Sequence, residues 1–338
     1  MYARKVLRVS IKYILIFFGI TVFLFILYKF VPESIALNDF GPSGSKILGL
    51  EYPVFIQYFY FFYDLMTGTM GTVNTALYSG AASKMVIDLI PETVAFIIIS
   101  FIILYSISYE IGIRSGSVFR NTKKLDMNIF PLIFLYFLLS LVLLTVFSAI
   151  LAWLPFQYIV QPEYISGITW ITDSGNGLFI SKPTNIILLD AIIHHSYGVL
   201  FSYLRSLILP LLSIVIPSII YLSTYINRIS SIEYNNRYMR AGLVRDSFRD
   251  SYISKIKKRI KPKIISELKP VFAAYLGGMI IVSYVFSYMN LGYAVIYSFL
   301  NYTYGLMGGI YCLFFISIMI IIFDYAMDLI AIGDNNAY

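Results

Sequence analysis

The stretch 129–154, IFPLIFLYFLLSLVLLTVFSAILAWL, holds 26 residues without a single charge. Coiled as a helix at 1.5 Å per residue it reaches about 39 Å, more than the ~30 Å hydrocarbon core of a bilayer. A helix packed on a water-soluble core keeps a polar stripe along one side, and this stretch has none. Five more apolar stretches of similar character lie at 9–30, 90–111, 206–226, 271–289 and 306–332. The spacing therefore predicts an all-α membrane protein with six transmembrane helices. The first stretch follows basic residues, as a signal peptide would. Its apolar core is too long for one and no small-residue cleavage site follows Val31-Pro32, so a retained helix is expected.

The bulk composition agrees. Of 338 residues, 59% are hydrophobic and 13% charged, against about 25% charged in ordinary soluble domains. The 30 Tyr and 27 Phe suit the interfacial belts of membrane proteins. One cysteine, Cys312, excludes an internal disulfide framework, and two histidines, His194 and His195, leave little for a zinc or iron site.

The net charge of +7 is explained by topology. With six spans and a cytoplasmic N-terminus, the inner segments hold 20 of the 25 Lys and Arg, twelve of them between Arg228 and Lys269. That is the positive-inside bias, and it needs no nucleic acid. Both termini are then cytoplasmic, and 1–338 forms one transmembrane domain. External loops are expected at about 32–88 and 155–204, and a cytoplasmic loop at about 227–269. The aromatic-rich part of the first loop, 52–66, suits the membrane interface.

Between spans four and five, apolar residues recur at helical spacing (Leu243, Phe248, Tyr252, Ile253, Ile256, Ile260) among Arg, Lys, Asp and Ser, interrupted by Gly242. Such a stretch fits a helix on anionic lipid or a docking helix for a soluble partner, and the pattern leaves both open. Asp88 and Glu92 flank Pro91 and read as a helix start. Asp324 and Asp328 fall at the inner end of span six, within reach of water or Lys and Arg. Gly305 and Gly309 permit close helix packing, including between two subunits. Ser283, Tyr284 and Ser287 in span five are polar enough to line a pathway, and equally suited to bonds between helices. Gly277 and Gly278 allow close approach. No G-x-x-x-x-G-K-[ST] phosphate loop occurs, and no nucleophile–base or metal constellation suggests an enzyme.

Over almost its whole length the chain resembles the permease subunits of binding-protein-dependent ABC importers of the oligopeptide/dipeptide type. The similar segments are Leu7-Arg8, Tyr28-Lys29-Phe30-Val31-Pro32, Leu48-Gly49-Leu50-Glu51, Gln57-Tyr58, Gly68-Thr69-Met70-Gly71, Leu89-Ile90-Pro91-Glu92-Thr93, Ile111-Gly112-Ile113, Ala152-Trp153-Leu154-Pro155, Leu188-Leu189-Asp190-Ala191, Leu207-Ile208-Leu209-Pro210, Gly277-Gly278, Val285-Phe286-Ser287-Tyr288 and Leu291-Gly292. The resemblance implies the type I ABC importer permease fold in the plasma membrane of a prokaryote. It implies a second homologous permease subunit, two cytoplasmic ATPase subunits that hold the ATP and Mg, and an extracellular substrate-binding protein. The chain itself would bind no cofactor and hydrolyse nothing. An ATPase-coupling helix would comprise Tyr234, Arg237, Tyr238, Arg240, Ala241, Gly242, Leu243 and Phe248, and a translocation pathway would pass Gly277, Gly278, Ser283, Tyr284 and Ser287. Tyr238 stands where the family has a small alanine, two residues are added before Pro262, Lys261-Pro262 replaces Leu-Pro, and Met289-Asn290 replaces Pro-Gly. Peptides are the expected cargo, with oligosaccharides on the same architecture as the alternative. An ion-coupled carrier is the competing class, and the scarcity of ionisable residues at mid-membrane disfavours it.

Overall fold

A computed structural model describes residues 2–29, 52–75, 78–116, 129–155, 159–166, 168–173, 179–234 and 249–336. Six of its helices are long and apolar enough to cross a membrane. They are α1 (Tyr2–Lys29), α3 (Ala82–Gly116), α4 (Phe130–Leu143, continued by a π-helical stretch Leu144–Ile150), α6 (Tyr197–Tyr234), α7 (Arg249–Val285) and α9 (Tyr302–Asn336). Shorter elements join them. Helix α2 (Val54–Thr67) and the hairpin β1 (Thr72–Asn74)–β2 (Ser79–Ala81) precede α3. The hairpin β3 (Ile171–Asp173)–β4 (Phe179–Ser181) and helix α5 (Ile187–Ile193) precede α6, and helix α8 (Leu291–Leu300) joins α7 to α9.

The bundle has two distinct ends. The first half of α1 and the middle of α7 meet the last third of α9, where Tyr13 donates to Asp328 Oδ2 (2.7 Å), Lys269 bonds Asp328 Oδ1 and Lys12 lies 3.6 Å away. This terminal end also receives the last turns of α3, where a Cβ on Gly112 would sit 2.6 Å from Ile226 of α6. The two hairpins, α2, α5 and α8 gather at the opposite end. Thus Asp324 and Asp328 lie among lysines at one end of α9, as their position in the sequence suggests.

Three expectations are corrected. Span two starts at Ala82, ten residues before Glu92, so Pro91 lies inside the helix and Glu92 is no helix-start acid. The chain enters this helix directly from strand β2, whose pairing with β1 holds the entry turn. Span four likewise begins at Tyr197 rather than near residue 206, so the second external loop is partly helix. Gly305 and Gly309 pack inside the chain: a Cβ would stand 2.9 Å from Thr75 and 3.1 Å from Ser298 respectively, against β1 and α8, leaving no room for a second subunit on that face.

Within the bundle, serine and threonine hydroxyls bond back to carbonyls four residues earlier, as at Thr93, Ser100, Ser206, Ser213 and Ser218. Unpaired polar groups are costly in hydrocarbon, and this local bonding keeps them paired. Helix α2 turns Phe55, Phe59 and Tyr63 outward and buries Phe61 and Leu65. That two-sided character fits the interfacial position predicted for 52–66. Its Asp64 is buried, accepts from Thr69 Oγ (2.8 Å), and burial raises its carboxyl above the usual range despite that bond. The folded protein therefore keeps this proton where the unfolded chain has lost it. Stability falls as pH rises between the two values and is level above. Asp64→Asn is expected to flatten this slope in thermal midpoints recorded from acid to neutral pH in detergent.

Candidate functional site

From residue 264 onward helix α7 is largely buried, yet one stripe of it is open. Ser266, Pro270, Ala273, Gly277, Ile281 and Tyr284 recur every three or four residues and stay partly or fully exposed, while their neighbours Leu276, Gly278, Met279, Val282 and Ser283 are enclosed. The expected pathway residues are therefore divided. Gly277 has nothing within 4 Å of where a Cβ would be, and Tyr284 lies at the far end of the same stripe. Gly278 faces the opposite way, with the Tyr136 ring only 2.1 Å from a hypothetical Cβ, and Tyr136 in turn bonds Ser218 of α6 (2.7 Å). Gly278 is thus the point at which α4, α6 and α7 close on one another.

Ser283 is also turned inward and accepts from Asn290 Nδ2 (2.8 Å). Asn290 caps α8, its Oδ1 accepting from Tyr293 N (3.0 Å), and Leu291 N donates to Thr93 Oγ1 of α3 (3.0 Å). Ser287 takes a left-handed backbone, φ 51°, in the turn between α7 and α8. Asn290, in extended backbone conformation, ends this turn with a side-chain cap on α8. From Tyr284 a ladder of rings continues through Tyr293 and Tyr297, centroids 5.8 and 5.7 Å apart.

Beside this turn lies a feature the sequence reading missed. Glu92 is fully enclosed, and its Oε1 accepts from Tyr288 (2.6 Å) and Tyr203 (2.7 Å), whose hydroxyls are 3.2 Å apart. The Ile187 backbone N–H, first in α5, reaches towards the same carboxyl, while Oε2 has no partner of full hydrogen-bond geometry. One carboxylate therefore gathers α3, α6, the α7–α8 turn and the loop that leads into α5. The loop is held further by Asn185, which donates to the Asp88 carbonyl (2.8 Å), and by Asp190, which accepts from Ser181 and from Thr184. The available signal was a glutamate ten residues into an apolar helix, masked by the adjacent proline.

Of the expected coupling helix, Tyr234 ends α6 and is buried. Arg237, Tyr238, Arg240, Ala241, Gly242, Leu243 and Phe248 lie outside the described residues. The helices on either side of them are described. Glu233 near the end of α6 pairs with Lys263 of α7 (2.6 Å), and Tyr221 donates to Glu267 (2.7 Å). Ile260, Ile264 and Leu268 are buried alongside. His194 stacks on Trp170 with centroids 4.8 Å apart and contacts the Lys182 carbonyl (3.0 Å), which ties it to the β3–β4 hairpin.

No protein-family model matches this chain, and no curated protein matches it.

Two substitutions separate the faces of α7. Gly278→Ala drives a methyl into the Tyr136 ring and is expected to cost about 1–3 kcal/mol. Gly277→Ala meets only open space and is expected to be neutral or stabilising by up to ~1 kcal/mol. Chemical unfolding in mixed micelles reads both. At the carboxylate, Glu92→Gln keeps an acceptor for the two tyrosines, whereas Glu92→Ala strands them at about 1–3 kcal/mol per buried hydroxyl. The alanine variant should unfold markedly earlier than the glutamine variant by the same assay.

Proposed function

We propose that this chain is a transmembrane permease subunit of an ATP-driven importer, forming half of an alternating-access pathway for oligopeptides or dipeptides. The observation that carries the proposal is the pair α6–α7 at the terminal end. Helix α7 runs for 37 residues, about 55 Å, and its Arg249–Lys269 part is polar and basic before the apolar part begins. Tied to α6 by Glu233–Lys263 and Tyr221–Glu267, it forms a stem, with Pro262 inside it, for the basic segment 235–248. A stem continuous with two spanning helices carries a displacement of that segment into the membrane.

On this reading the termini and the stem are cytoplasmic, in the plasma membrane of a prokaryote, and 235–248 seats in a groove of an ATPase subunit. Two such subunits bind the ATP and Mg, a second homologous permease completes the pathway, and an external binding protein delivers the cargo. The open stripe of α7, from Ser266 to Tyr284, faces the pathway or the second permease. ATPase closure moves the stem and shifts the balance between outward- and inward-open states, which cargo biases only by binding the two unequally. Oligosaccharides on the same architecture are the alternative cargo. An ion-coupled carrier would use ionisable groups at mid-membrane. The charged groups described here lie toward the two ends of the bundle, Lys12, Lys263, Lys269 and Asp328 at the terminal end and Asp64, Asp88, Glu163, Asp190 and Arg205 at the opposite one, where Glu92 is enclosed by two tyrosines.

The test is co-purification in mild detergent from the native membrane. ATPase subunits should accompany the wild-type chain, and Arg240→Glu with Leu243→Asp should release them without shifting the chain's own thermal midpoint. A chain that purifies alone, or a double variant that keeps its ATPase, would contradict the proposal. Cargo class is read separately, by screening the cognate binding protein against peptide and oligosaccharide libraries.

A further inference from the structure

At the end opposite the termini, a cavity of about 390 Å³ opens between the π-helical end of α4, the first turns of α6 and the turn at 161–164. Arg205 and Glu163 both line it, together with Gln161, Ser148, Ser202 and Tyr164. Arg205 directs two guanidinium N–H groups to the Trp153 carbonyl (Nε at 3.0 Å) and has no carboxylate within ion-pair distance among the described residues. Nor does Glu163 have a cation there. One wall thus offers an unpaired cation and another an unpaired anion.

The depth of this cavity follows from α6. Arg205 and Arg228 are 23 positions apart on one helix, about 35 Å, and no charged residue separates them. That interval matches the hydrocarbon thickness plus its margins, so Arg205 sits at the bilayer surface. Trp153, 60% exposed, and Phe201, 62% exposed, flank it as interfacial aromatics. From Phe201 an exposed apolar line runs through Leu204 and Ile208 towards the membrane interior. A polar cavity that opens onto a lipid-facing strip suits a molecule with a charged head and an apolar tail.

We infer that this cavity holds the headgroup of a zwitterionic phospholipid, with its phosphate on Arg205, its ammonium on Glu163 and its acyl chains along Phe201, Leu204 and Ile208. The paired opposite charges decide the class. A purely anionic headgroup would set its phosphate against Arg205 but leave Glu163 repelling it, and a zwitterion satisfies both.

The full-length chain, delipidated in detergent, is offered phosphatidylethanolamine, phosphatidylglycerol or soluble glycerophosphoethanolamine, and retained ligand is counted by native mass spectrometry. Wild type should retain phosphatidylethanolamine over phosphatidylglycerol by about three- to fivefold, the upper range of an exposed charge contact. Glu163→Gln should erase that preference while total phospholipid retention stays level, and Arg205→Ala should lower retention of both lipids. Because Arg205→Ala also cuts the tie to Trp153, Glu163→Gln, on an exposed turn, carries the decision. Equal retention of the two lipids by wild type, or an unchanged preference in Glu163→Gln, would overturn the assignment. Competition by glycerophosphoethanolamine at the lipid's own concentration would also overturn it, and would mark a small-molecule site instead.

Discussion

Inside a bilayer no water is available to satisfy a buried polar group, so every such group must be bonded by the protein. Glu92 is where this constraint is most demanding. A carboxyl sealed among apolar helices costs several kcal/mol unless donors surround it, and Tyr203 and Tyr288 supply them from α6 and the α7–α8 turn. The turn in turn depends on Asn290, Ser283 and Thr93. Remove the carboxyl and the helices that meet at the outer end lose their common partner. The same logic applies at Asp328, where Lys269, Lys12 and Tyr13 join α1, α7 and α9 at the other end. The bundle is thus fastened near its two ends by acids on different helices and closed between them by packing, with Gly278 against Tyr136 as the tightest contact.

These fastenings separate what is rigid from what is available for motion. Helices α3 and α6 pack extensively along each other, and α7 packs on α6, α4, α8 and α9. The stripe and the polar stem beyond it belong to the same helix. A displacement of the stem therefore reaches the stripe through one helix, with Pro262 and Pro270 inside it as the points where it can bend. Gly277 and Tyr284 are placed to respond, and Gly278 and Ser283 to hold.

Much of this was legible in the chain itself. Apolar runs about as long as a bilayer is thick announced six spans, and each lies within or largely within an observed helix. Buried Cys312, the two-sided helix at 52–66 and the lysine-rich surroundings of Asp324 and Asp328 followed from local pattern. What was not legible depends on direction around a helix or on distant partners. Gly277 and Gly278 are adjacent in sequence and face opposite ways, and no composition distinguishes them. Glu92 looked like a helix-start acid because Pro91 precedes it, and only the tyrosines from residues 203 and 288 reveal its role. Gly305 and Gly309 carried a general packing motif whose partner, Ser298 of the neighbouring short helix, the motif does not specify. Arg205 and Glu163 were separated by more than forty residues, and the cavity between them emerges only when α4, α6 and the external turn come together.

The central claim is that work enters through the stem between α6 and α7. Reconstitution into liposomes tests it most directly, with uptake of a labelled short-peptide mixture measured for the chain alone and for the chain with its partner permease, ATPase subunits and binding protein. The account predicts no uptake by the chain alone under any ion gradient, and uptake by the full assembly that stops when ATP is withheld or when Arg240 and Leu243 are substituted. Gradient-driven uptake by the chain alone, or ATP-dependent uptake indifferent to those substitutions, would contradict it.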